Sequence, residues 1–225
     1  MTIDFRPVPP PPPDRVKQIE AAVLGDLKPV RPLAPQSAYL AGFAGIFVAV
    51  CCAGGFIAGQ FGWRALSDFQ RIAVFVPLVA ATAFLVFSLV RQMAPGAKYT
   101  HSSAWFAWGL FALLLVSMAV VFQPVHEPAF VQQGLPCFRM GLEFAIPAAF
   151  LFALLLLRGA ALSPALTGAT AGGLAGLAGL AVLEIRCPNL NVYHIVVWHV
   201  SVVLVCIIGG IVLSSVTFRR WTSNH

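Results

Sequence analysis

Six apolar runs constrain this chain more than any other feature. They lie at roughly 38–59, 72–90, 103–123, 141–157, 165–183 and 195–216. Each is close to the ~20 residues that a helix needs to cross a bilayer's hydrocarbon core. Inside lipid the backbone must satisfy its own polar groups, so such runs are helical. A membrane β-barrel would instead show short segments of alternating polarity. Only 10% of the residues are charged and 59% are hydrophobic, whereas roughly a quarter of a soluble domain is charged. The connections, among them "QFGWRALSDFQR" and "RGAALSP", are too short to form a separate domain. The sequence therefore predicts an all-α membrane protein. A six-helix transmembrane bundle occupies 36–218, between a tail at 1–35 and a short tail at 219–225.

Orientation follows from the basic residues, which favour the cytoplasmic side. Arg6, Arg15, Lys17, Lys28 and Arg31 lie in the first tail. Arg91, Lys98, Arg158, Arg219 and Arg220 fall on the same side when six spans are threaded. Arg64, Arg71, Arg139 and Arg186 fall on the other. Ten of the fourteen Lys and Arg residues thus share one face, and both termini are predicted to be cytoplasmic. The tail is polar and proline-rich, without the apolar stretch of a cleavable signal.

Within the tail, "DRVKQIEAAVLGDLKPVRPLAP" follows a polyproline run. Val16, Ile19, Val23, Leu24 and Leu27 form one helical stripe, so an amphipathic helix is expected at about 14–28. Asp14 is placed to cap its start and Pro29 bounds its end. A helix this short is marginal alone and gains order by laying its stripe on a membrane surface or in a partner's groove. Four acids in the tail nearly balance its five bases. That balance argues against direct nucleic-acid binding and against a purely electrostatic lipid anchor. In the fifth run, Gly168, Gly172 and Gly176 recur every four residues. Such a stripe lets a second helix approach closely.

The stretch "LEIRCPN" at 183–189 interrupts the apolar pattern with two charges, a thiol and a proline. Its Cys187 and the Cys137 of "GLPCFRMG" fall on the same, outer side of the membrane, each beside a proline that suggests a rigid turn. Three readings stand. The two form a disulfide, which an oxidising compartment permits; they are free thiols that bind a soft metal or meet oxidants; or their placement is accidental. His126, His194, Glu143 and Glu184 are the nearby auxiliary ligands, a donor set suited to zinc or a softer ion. Arg139 lies one turn before Glu143 as an i,i+4 partner. His199 reads as an interfacial histidine, because residues five apart on an α-helix do not share a face. Cys51, Cys52 and Cys206 lie within spans and read as packing residues. No nucleotide loop, HExxH, nucleophile elbow or deep carboxylate pair is present, so an enzyme is not expected. A small membrane transporter and a thiol oxidoreductase are the rival readings, but neither buried ionisable residues nor inverted repeats support a transporter.

Several pieces together resemble the NrsF family, bacterial integral-membrane negative regulators of sigma-F. They are "LGDLKPVRPLAP" before the first span, the stretch from "GLPCFRMGLEF" through the glycine-rich span to "CPN" and "WH", and a final "RRW" at 219–221. The resemblance covers about residues 15–221 and is most specific at 134–199. The polyproline run at 9–13 departs from the family pattern. The resemblance implies an anti-sigma factor of the bacterial inner membrane that sequesters an extracytoplasmic-function sigma factor. It also implies that Cys137 and Cys187 correspond to paired cysteines linked to heavy-metal or oxidative stress. Nothing here resembles the soluble zinc-binding anti-sigma fold, so its mode of sigma binding does not transfer.

Overall fold

A computed structural model describes residues 13–26, 34–93, 101–126, 128–159 and 163–223. The chain divides into two units, Met1–Leu33 and Ala34–His225. In the first, helix α1 spans Pro13–Asp26 and carries Asp14 in its first turn, where an acid complements the helix dipole. Val16 is exposed on α1. The side chains of Ile19, Val23 and Leu24, and all of Leu27, lie outside the described residues.

The second unit contains α2 (Gln36–Ile57), α3 (Phe61–Ala65), α4 (Asp68–Met93), α5 (His101–Val121), α6 (Phe130–Leu156) and α7 (Pro164–Arg186). A short α8 (Val192–His194) runs through a π-helical turn at Ile195–His199 into α9 (Val200–Ser223). Five helical segments are long and apolar enough to cross a membrane: α2, α4, α6, α7 and the stretch Val192–Thr217. Large apolar side chains such as Phe56, Ile57, Val120 and Leu157 point outward from the bundle. Water would not tolerate so extensive an apolar surface, and lipid requires it. Helix α5 has 21 residues, of which 109–121 form a shorter apolar stretch with described side chains.

Helix α7 is the central helix. In its most apolar window 83% of the residues are buried, against 22–39% for the other four segments. The cause is its "TGATAGGLAGLAGLA" composition, which lets neighbours approach the backbone from several sides. A Cβ on Gly168 would collide with Gly210 and Ser214, and one on Gly172 with the Cys206 carbonyl. At Gly176 it would lie 2.5 Å from the Val203 Cα, and at Gly179 2.5 Å from the Gly141 oxygen. The first three contacts seat α9 and the last seats α6. Gly54 brings α2 against Val182 in the same way.

The start of the sequence-predicted fourth span and the end of the sixth both change. Helix α6 begins at Phe130, not near 141, because "FVQQGLPCFRM" winds as an N-terminal extension of the membrane helix. Pro136 and Pro147 both lie inside it. Cys137 is therefore a helical residue and not part of a rigid turn. At the far end, α9 continues through Ser223, past the Arg219–Arg220 pair.

Candidate metal centre

The interruption at 183–189 is where the fold assembles its polar core. Helix α7 ends at Arg186, and Cys187 caps it in an extended conformation (φ −80°, ψ 117°), its N–H donating to the Leu183 carbonyl at 2.7 Å. Pro188 explains that conformation, since a residue before proline is driven out of the helical region. The loop that follows is pinned in place. Asn189 Oδ1 accepts from the Asn191 N–H at 3.0 Å. Asn191 Oδ1 accepts from the Tyr193 N–H at 3.2 Å and caps α8. The Asn191 amide also donates to the Val125 carbonyl at 2.8 Å, and the Val192 N–H donates to the Gln123 carbonyl at 3.2 Å.

Helix α3 packs over the end of α7. Gly59, at φ +87°, turns the chain out of α2, a backbone region that favours glycine. A Cβ on Gly62 would stand 2.5 Å from the Cys187 carbonyl oxygen and 2.6 Å from that of Glu184. The Arg186 guanidinium sits 4.7 Å from the Phe61 ring centroid, within cation–π range.

Beneath this cover four donors converge. Cys137 Sγ and Cys187 Sγ are 3.6 Å apart, with no disulfide formed between them. His194 Nε2 is 3.7 Å from Cys187 Sγ. His199 completes the group, and one ligand atom from each of the four lies within 4.8 Å of the others. Glu184 Oε1 is 2.8 Å from His199 Nδ1. Glu184, His194 and His199 are each at most 3% exposed. The hydrogen bond with Cys137 and burial push the Cys187 thiol above its ordinary pKa, while His194 and His199 pull it down.

The two histidines were expected on different faces, and the π-helical turn corrects that expectation. In an α-helix, residues five apart differ by about 140° around the axis. In a π-helix the i→i+5 hydrogen bond brings them nearly into line. Here the Val200 N–H donates to the Ile195 carbonyl, and the His194 and His199 rings meet edge-to-face with centroids 5.3 Å apart. The sequence offers no local signal for such a turn beyond the two histidines themselves in "HIVVWH".

The remaining sequence-predicted ligands divide. Glu184 touches the cluster through His199. Glu143 pairs with Arg139 Nε at 3.0 Å on the exposed face of α6, apart from the cluster. His126 is exposed and lines a surface cavity of about 580 Å³ with Gln70, Gln133, Pro188 and Asn191. Among the described residues, the group able to hold a metal consists of Cys137, Cys187, His194 and His199.

The fold and site define a class: a multi-span helical membrane protein with a buried Cys/His cluster where α6, α7 and the last span meet. Its donors suit a soft metal or, through the two thiols, a disulfide. The chain belongs to the NrsF family, described as negative regulator of sigma F, which matches residues 24–221. It is thus a regulatory protein and not an enzyme. No curated protein and no solved structure matches the chain.

Proposed function

We propose that this chain is an anti-sigma factor of the bacterial inner membrane, with both termini cytoplasmic. It holds an extracytoplasmic-function sigma factor at the cytoplasmic face and releases it when a metal or oxidant reaches Cys137 and Cys187. The observation that carries this reading is the pair of thiols 3.6 Å apart in a Cys/His cluster, within a chain of a sigma-regulating family. Helix α5 serves as the third of six spans. At ~1.5 Å per residue its 21 residues reach about 31 Å, enough for the hydrocarbon core.

Reporter fusions test the topology. Fusions at Thr2 and Asn224 are expected to report a cytoplasmic location, and fusions within 125–136 a periplasmic one. A periplasmic C-terminus would overturn both the six-span count and the outward placement of the thiols.

The α1 tail is the proposed sigma contact, through Val16, Ile19, Val23, Leu24 and Leu27. Aspartate at Ile19, Val23 and Leu27 together removes the apolar stripe and places charges in the groove it fills. The loss of burial and the desolvated charge are expected to cost several kcal/mol, on the order of 3 or more. The variant still inserts, because no span is altered. Sigma-dependent transcription is then on without stress, and copurification of the sigma factor with the membrane protein is lost. Undiminished copurification would show that the contact lies elsewhere.

A further inference from the structure

We infer that Cys137, Cys187, His194 and His199 form a closed four-ligand site for a tetrahedral divalent cation of the zinc–cadmium class, and that Glu184 positions His199 within it. This rests on the proposed sensing role of the thiols and assigns the rest of the shell.

The spacing fits. With metal–sulfur bonds of about 2.3 Å and metal–nitrogen bonds of about 2.0 Å, a tetrahedral centre separates two sulfurs by about 3.8 Å and a sulfur from a nitrogen by about 3.5 Å. The Sγ–Sγ distance is 3.6 Å and the Cys187 Sγ–His194 Nε2 distance is 3.7 Å. Two thiols and two imidazoles are a donor set that selects zinc-like ions over magnesium or calcium.

His199 carries the signature of a metal-directed imidazole. Its Nδ1 is held by Glu184. Its Nε2 is buried and makes no hydrogen bond of good geometry among the described residues, although the Cys187 thiol lies close enough to interact with the ring. A carboxylate on one ring nitrogen fixes the tautomer and raises the basicity of the other, the usual support for a metal-bound histidine.

A divalent cation displaces one proton from each thiol and leaves two thiolates, so the metal and its four ligands sum to zero, and the remaining negative charge of the buried Glu184 carboxylate is met by its hydrogen bond with His199. The ligands come from α6, the cap of α7, α8 and the π-helical turn, so one ion links three membrane segments.

The test uses the reduced full-length chain in lipid nanodiscs, titrated with zinc against a chromophoric chelator. One ion per chain is expected. His194→Ala and His199→Ala should each weaken binding by well over 100-fold. Glu184→Gln should weaken it by about 10–100-fold, with the melting temperature of the metal-free protein unchanged, since the amide still hydrogen-bonds His199. Glu143→Gln and His126→Ala should bind as the unmodified chain does. X-ray absorption at the zinc edge of the unmodified protein needs no variant, and two sulfur with two nitrogen neighbours are expected. A shell of sulfur alone, or wild-type affinity in both histidine variants, would overturn the site. Thiol-dependent release of the sigma factor would survive that result. Conversely, a two-sulfur, two-nitrogen shell with no effect of metal on sigma release would leave the site standing and overturn the sensing role.

Discussion

Leucine in place of Gly172 is expected to destabilise the folded bundle sharply. A Cβ there already overlaps the Cys206 carbonyl of α9, and backbone cannot step aside as a side chain can. Three further carbons force α9 away from α7 along the seam that Gly168, Gly172 and Gly176 form with α9. Overpacking typically costs ~1–3 kcal/mol, and more where backbone is displaced; here a cost on the order of 3 kcal/mol or more is expected, from a total stability of roughly 5–15 kcal/mol. The paired glycines of α9 supply an internal control. A Cβ on Gly210 would collide with the Gly168 carbonyl, whereas one on Gly209 meets nothing within 4 Å. Gly210→Ala is expected to lower the melting temperature in detergent, and Gly209→Ala to leave it unchanged or raise it. Equal effects of the two alanines would contradict the packing of α9 on α7.

Serine at Cys187 is expected to abolish induction of the sigma-dependent gene by cadmium or peroxide, with the protein still present in the membrane. Serine at Cys137 should do the same. The two thiols are in contact and act as one unit, so the double variant should lose little more than either single one, the non-additivity of coupled residues. The oxygen of serine is a poor ligand for a soft ion and forms no disulfide. Peroxide acts by taking two electrons and two protons from the thiol pair, which leaves a disulfide and two waters. A purely structural thiol pair would behave differently, lowering protein level or melting temperature without changing induction per molecule. The measurement is therefore target-gene induction normalised to the amount of membrane protein. Full induction by both agents in a well-folded Cys187→Ser chain would remove the sensing role.

Much of this protein is legible in its sequence, because the information is local. Long apolar runs must be helices in lipid whatever they pack against. A Pro after Cys187 ends α7 wherever that helix lies. The four-residue spacing of Gly168, Gly172 and Gly176 marks a face for close approach. The "LGDLKPVRPLAP" and "GLPCFRMG" segments carry the family resemblance, and the family match spans 24–221.

The tertiary structure decided how these pieces meet. Sequence spacing leaves open which helix occupies the centre, and α7 takes that place because its neighbours also present small residues, Gly54, Gly141 and Gly210, toward it. The helical extension of α6 moves Cys137 from an expected turn onto a membrane helix, and fifty residues of intervening chain hide its contact with Cys187. Glu184 reads in sequence as an auxiliary ligand, yet it is buried against His199, where α3 and the loop to α8 close over the end of α7. The fourth donor depends on hydrogen-bond register alone. An α-helical pattern separates His194 from His199, and one π-helical turn aligns them. Periodicity assumes a single register along a helix, so a local change in that register is what sequence reading misses and what completes the Cys/His cluster.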